Sequence, residues 1–145
     1  MCGAVRYEIE PPLRPIIQCH CGQCARWTGH LVAATQVSAE RFALRSGSDE
    51  LTWYRSSDRA ERGFCRSCGS SLFWRQHDGQ NVSILAGTLD QPTGLRTAVH
   101  IFVGDKADYY EIGEADRAPQ VERWITKEEL SGYLTRCEPA AHRSC

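Results

Sequence analysis

The sequence predicts a mainly β domain of short antiparallel strands with a short C-terminal helix, and three observations carry that expectation. Apolar, β-branched and aromatic residues come in short runs, such as Leu51–Arg55, Ser71–Trp74 and Asn81–Leu85. Turn formers separate the runs, at Ser46-Gly47-Ser48, Asp78-Gly79 and Gln91-Pro92-Thr93-Gly94. Helical spacing of apolar residues occurs only near the C-terminus.

Taken in order, Ala4–Ile9 alternates like a half-buried strand, and Pro11, Pro12 and Pro15 end it. Ile16-Ile17-Gln18 then leads into a cysteine cluster. Leu31–Val37, Phe42–Leu44, Leu51–Arg55, Ser71–Trp74, Asn81–Leu85 and Ala98–Val103 follow as short strands. Thr126-Lys127-Glu128-Glu129 has the S/T-x-x-E form of a capping box, with Leu130, Tyr133 and Leu134 following at helical spacing. The tail after Arg136 carries little apolar content and is expected to be loose. There is no internal repeat and no long linker, so one domain is expected.

The bulk composition narrows the function. A chain of 145 residues is long enough to bury a core without metal or disulfide staples. Its 17 Lys+Arg against 18 Asp+Glu give a net charge of −1, with no electrostatic footprint for nucleic acid or an anionic membrane. Arg6, Glu8 and Glu10 break any secretory apolar segment, and stretches such as Leu31–Ala34 are far too short to span a bilayer. A cytoplasmic protein is expected. Eight cysteines in that setting, clustered as C-x-C and C-x-x-C, point to metal or redox chemistry rather than disulfides.

The cysteines fall into three clusters: Cys2 before Gly3; Cys19-His20-Cys21-Gly22-Gln23-Cys24; and Cys65-Arg66-Ser67-Cys68-Gly69. Zinc takes about four ligands, with sulfur at roughly 2.3 Å. A lone C-x-x-C supplies half of them, so Cys65 and Cys68 need a distant partner. Cys19, Cys21 and Cys24 already offer three thiolates from one segment, the pattern of a site with a vacant position. The spacing therefore suggests a three-ligand site and a separate site built from the chain start and the knuckle. Two other readings stay open at this level. One is a redox pair at Cys65-x-x-Cys68, although no helix is expected after it. The other is a zinc ribbon of Cys21, Cys24, Cys65 and Cys68, which leaves Cys2 and Cys19 unexplained.

The same residues resemble the glutathione-dependent formaldehyde-activating enzymes, a family that includes centromere protein V. Cys2-Gly3-Ala4-Val5-Arg6-Tyr7-Glu8 is similar to the family's C-x-C-G-A-V-R-Y-E opening. Cys19–Cys24 with Arg26, Thr28 and Gly29 resembles its C-H-C-x-x-C-x-R-x-x-G segment, and Arg62–Ser70 resembles R-x-F-C-x-x-C-G-S. Ala86–Asp90 and His100–Val103 are similar to its A-G-T-L-D and H-I-F-V segments. The resemblance covers residues 2–113 and leaves 114–145 as an extension with the helix and tail. It implies a β-tent type fold and two zinc ions. Cys19, Cys21 and Cys24 would hold a catalytic zinc, and Cys2, Cys65 and Cys68 a structural one. The first cysteine of the family's opening would fall just before Met1, so the structural set is short by one: either the start lies upstream of Met1, which is the favoured expectation, or the site works with three thiolates plus a water or another donor.

The function implied is that of a carbon–sulfur lyase resembling S-(hydroxymethyl)glutathione synthase, with a small thiol such as glutathione as partner. A zinc already carrying three thiolates is a weak Lewis acid toward a carbonyl. Its more comfortable task is to hold a substrate thiol as thiolate for addition to a small aldehyde such as formaldehyde. The alternatives are a thiol-binding carrier without turnover and a structural zinc scaffold. Among other residues, His20 is expected to point away from the sulfurs of its C-x-C and to make a structural hydrogen bond. His100 reads as a satisfied core histidine. Arg26, Arg62 and Lys106 are candidates for a ligand's carboxylates, although solvated surface charge is the commoner outcome. Trp27, Trp53, Phe73 and Trp74 are expected in the core or a pocket wall. Cys137 and Cys145 read as spare thiols.

Overall fold

The short apolar runs become short strands. The computed structural model describes the backbone of residues 1–136 and the side chains of residues 1–133. In order the elements are β1 (Arg6–Ile9), β2 (Ile16–Cys19), α1 (Gly22–Thr28), β3 (Val32–Ser38), β4 (Phe42–Ser46), β5 (Leu51–Arg55) and β6 (Ala60–Cys65). β7 (Ser71–Gln76), β8 (Asn81–Leu85), β9 (Thr97–Ile101), β10 (Gln120–Val121) and α2 (Lys127–Arg136) complete them. The mainly β class is as expected. The expected contribution of the Leu134 side chain, the loose tail and the spare thiols Cys137 and Cys145 lie outside the described residues. No helix among the described residues is long and apolar enough to cross a membrane.

Four elements go beyond the sequence expectation: β2, which forms where Ile16-Ile17-Gln18 is expected only to lead into the cysteine cluster, and three others. β6 reads AERGFC, with charges and a glycine where alternation should be, and it forms because β5 and β7 pair with it on both sides. Ladder hydrogen bonds there override weak local propensity. α1 is seven residues long and starts inside the cysteine cluster. β10 is a two-residue strand that pairs with β9.

The chain forms two compact units: Met1–Arg14 with Ala34–Thr93, and Pro15–Ala33 with the chain from Gly94. In the first unit β1 pairs antiparallel with β4, and β3, β8, β7, β6 and β5 pair antiparallel in that order. Its core centres on Phe73, which is fully buried among Val37, Cys65, Leu72, Val82 and Ile84. Tyr7 and Phe42 meet the Phe73 ring edge-on, with centroids 4.9 and 5.0 Å away. These are favoured aromatic geometries that add to the burial of apolar area.

In the second unit β9 lies between β2 and β10 and runs parallel to both, with Cys19 opposite Ile101 and Gln120 opposite His100. Strand β9 is buried along Ala98–Ile101, as befits a parallel strand covered on both faces. Ile17, Ala98, Val99, Ile101, Ile125 and Leu130 form this core. The capping box is made: the Glu129 N–H donates to Thr126 Oγ1 (3.2 Å) and the Thr126 N–H to Glu129 Oε2 (2.8 Å). Ile125, just before the cap, and Leu130 in the next turn sit in the same apolar cluster, a hydrophobic staple. The staple fastens α2 to its unit.

Candidate metal centres

Cys19 is the last residue of β2, and Cys21 is the N-cap of α1. Cys24 lies in that helix's first turn, where its backbone N–H points at the Cys21 sulfur (3.4 Å). A strand end followed at once by a helix start brings i and i+3 onto one side and turns the strand's last side chain toward them. Gly29, at φ 80, ends the helix in the left-handed conformation and returns its N–H to Ala25 O. The three sulfurs all lie within 4.8 Å of one another, with Cys24 Sγ 3.6 Å from Cys19 Sγ. Cys24 is buried, and Cys19 and Cys21 are half-buried. The Cys19 and Cys24 thiols hydrogen-bond to the Cys21 sulfur and hold its pKa down to about 2. The same contacts, with burial, push Cys19 up.

The second group is Cys2, Cys65 and Cys68, again within 4.8 Å of one another, with Cys2 Sγ 3.6 Å from Cys65 Sγ. Cys65 ends β6 and is buried. The knuckle closes through Gly69 N–H to Cys65 O (2.8 Å) and Cys65 N–H to Ser70 O (3.0 Å), with Gly69 at φ 72. Backbone N–H groups of Cys2 and Ser70, then the Cys2 side chain, lower the Cys68 thiol to about 7.

Four sulfurs at roughly 2.3 Å from a tetrahedral ion stand about 3.8 Å apart. In each group one sulfur pair is 3.6 Å apart and all three lie within 4.8 Å of one another, close to that span, and an all-sulfur donor set suits zinc among the common divalent ions. The six cysteines expected as ligands are therefore drawn into two groups of three. The ribbon of Cys21, Cys24, Cys65 and Cys68 is not formed, because each pair is gathered with a different third cysteine. The strand–cysteine–helix context absent around Cys65 occurs instead at Cys19–Cys24.

The remaining candidates sort by their surroundings. His20 is 1% exposed; its Nδ1 lies 2.6 Å from Tyr110 Oη and its Nε2 2.9 Å from His100 Nδ1. Burial, then the charges of His100, His30 and Lys106, lower its pKa to about 4, so the ring is neutral. His100 is equally buried, and its Nε2 is 2.9 Å from Asp116 Oδ2. Arg62 is buried and donates to Ser56 Oγ. Arg26 is exposed. The Lys106 ammonium donates to the carbonyls of Ala107 and Tyr110 and lies 3.5 Å from Glu111. Phe73 is core, and Trp27, Trp53 and Trp74 are half-buried. Tyr110 and Asp116 were not expected, since both come from an irregular stretch with no periodicity to mark them.

Residues 1–105, which hold both cysteine groups, match the family model of the glutathione-dependent formaldehyde-activating enzymes. The chain belongs to that family. An uncharacterized lyase of Schizosaccharomyces pombe is 27% identical over 114 residues, spanning 77% of this chain and 80% of its own length. A Rhodobacter sphaeroides protein of known crystal structure shares the fold, with a TM-score of 0.52 at 20% identity. The alignment covers 82% of this chain and 94% of that one.

Proposed function

We propose that the protein is a zinc-dependent carbon–sulfur lyase that joins a small thiol, glutathione in the first instance, to formaldehyde or a similar aldehyde. The observation that carries this reading is the convergence of three thiols from the single segment Cys19–Cys24 at the junction of β2 and α1. Zinc bound there would keep a position for an outside thiol and lower that thiol's pKa. Cys19, Cys21 and Cys24 are the ligands that fix its place. The hydrogen bonds from Cys19 and Cys24 favour a thiolate at Cys21, and metal binding requires the ligand thiols to lose their protons. The thiol sulfur adds to the aldehyde carbon and the carbonyl oxygen gains a proton, giving a hydroxymethyl thioether; the reverse reaction cleaves that carbon–sulfur bond. Cys2, Cys65 and Cys68 serve as the structural site, and family membership and the lyase name of the yeast relative support the whole assignment.

The test is zinc content, glutathione binding and formation of hydroxymethylglutathione above the spontaneous rate. The wild type is expected to carry two zinc ions per chain and Cys21→Ser one, with thiol binding lost. If Cys21→Ser keeps both its zinc and its thiol binding, the reading fails. Glutathione binding without turnover would make the protein a carrier, and no glutathione binding would make it a scaffold.

A further inference from the structure

His20 is the one residue between two elements that carry cysteine donors. Cys19 ends β2 and Cys21 caps α1, so the direction of the Cys21 sulfur relative to Cys19 depends on the backbone at His20. The ladder between β2 and β9 ends with Cys19 opposite Ile101, and one further backbone bond follows it, His20 N–H to Ile101 O (3.0 Å). The ring supplies additional anchors. Successive side chains of an extended segment point to opposite sides, and both ring nitrogens of His20 are engaged by partners other than the cysteines. Nδ1 lies 2.6 Å from Tyr110 Oη and Nε2 lies 2.9 Å from His100 Nδ1.

The anchorage continues past His100. Its Nε2 lies 2.9 Å from Asp116 Oδ2, while Asp116 Oδ1 accepts the Ala118 N–H (3.0 Å). The segment that brings Asp116 is fastened to the same strand, because the His100 N–H donates to Pro119 O (2.8 Å) and β10 pairs with β9. Both rings are 1% exposed. A backbone carbonyl or a water would satisfy a buried imidazole equally well. Here side chains from separate stretches of sequence are joined instead. Such a network selects one arrangement, since any displacement leaves a buried polar group without its partner. Tyr110 and Asp116 also lie beyond the residues 1–105 that match the family model.

We propose that the network of Tyr110, His20, His100 and Asp116 is a brace for the step between β2 and α1, and so fixes the spacing of the Cys19 and Cys21 sulfurs for their metal ion. The inference rests on the metal-site reading above. All four are positioning residues, acting through the backbone between Cys19 and Cys21. Donors held in place before the ion arrives lose less conformational freedom when it binds, which raises affinity. The chain beyond the family match thereby contributes to the site without supplying a donor.

The test is zinc competition against a chelator with the full chain, read at each cysteine group. Cys65→Ser and Cys19→Ser, each lacking one site, assign the two affinities. Asp116→Ala removes the end of the brace at a position 32% exposed. It is expected to weaken zinc at Cys19, Cys21 and Cys24 by about 10–100-fold and to leave the group of Cys2, Cys65 and Cys68 unchanged. Tyr110→Phe should weaken the same site, and Asp116→Asn, which keeps an acceptor, should retain most of the affinity. An unchanged affinity at the Cys19 group in Asp116→Ala overturns the proposal, as does an equal loss at both groups, which marks general loosening. If the wild type takes no zinc at the Cys19 group, the metal-site reading fails by itself. The brace is then decided by amide hydrogen exchange in the metal-free chain. The His20 and Ala25 amides, bonded to Ile101 O and Cys21 O, should exchange about 10-fold faster in Asp116→Ala, with the Cys65 amide unaltered. Unaltered rates at His20 and Ala25, or an equal rise at Cys65, overturn it.

Discussion

Gly47 shows how much one missing side chain can matter. Its φ is +79, and a Cβ built there would fall 2.1 Å from Ala4 O, so both the conformation and the space exclude a side chain. Its carbonyl accepts the N–H groups of Glu50 (3.0 Å) and Leu51 (2.9 Å), which sets the start of β5. Gly47→Ala is expected to cost at least about 1–3 kcal/mol in urea unfolding. Gly113→Ala, where an added Cβ meets nothing within 4 Å, is expected to be near neutral. Phe73 poses the opposite case. Phe73→Ala empties the centre of the first unit's core and is expected to cost about 3–5 kcal/mol. The cysteine donors themselves were legible residue by residue, because ligand spacing is local. Tyr110 and Asp116 were not, because nothing in their own neighbourhood marks a residue whose partner is 90 or 16 positions away.

At the scale of the element, α2 depends on its first turn. Thr126→Ala removes the cap acceptor and is expected to lower stability by about 1 kcal/mol, read from the thermal midpoint. The Arg123 guanidinium, then the Thr126 N–H, hold the Glu129 carboxyl down to about 2, against an ordinary 4.5. Between those values the unfolded chain binds more protons than the folded one, so stability rises with pH there. The contribution is full above 4.5 and is lost as the pH falls toward 2. The thermal-midpoint gap between wild type and Glu129→Gln should therefore close over that window. The box was readable because its four residues are consecutive. α1 was not, since Gly22, Trp27 and Thr28 are weak helix formers and its start is fixed by the Cys21 cap. β6 was not, since its partners β5 and β7 supply what its own sequence lacks.

At the scale of the molecule, each unit holds one cysteine group within its own residues. On the proposed reading, metal binding is folding energy for each unit. Removing zinc with a chelator is expected to lower the unfolding temperature, and adding it back to restore it, more at higher free zinc. Cys65→Ser and Cys19→Ser should each lose one zinc equivalent, in the first and second unit respectively. Loss of both ions from either variant would contradict separate sites.

The sequence by itself determined the mainly β class and the rough place of most strands, through the turn residues between them. It also determined the donor chemistry, through cysteine spacings that no core-packing argument requires. Both are local properties, set by a few neighbouring residues and their backbone preferences. Only the tertiary structure decided that β2 lies parallel to β9 and that His20 meets His100 across 80 residues. Those contacts require long loops to close, and the closure is stabilised by burial of the whole core, to which no single segment of sequence holds the key.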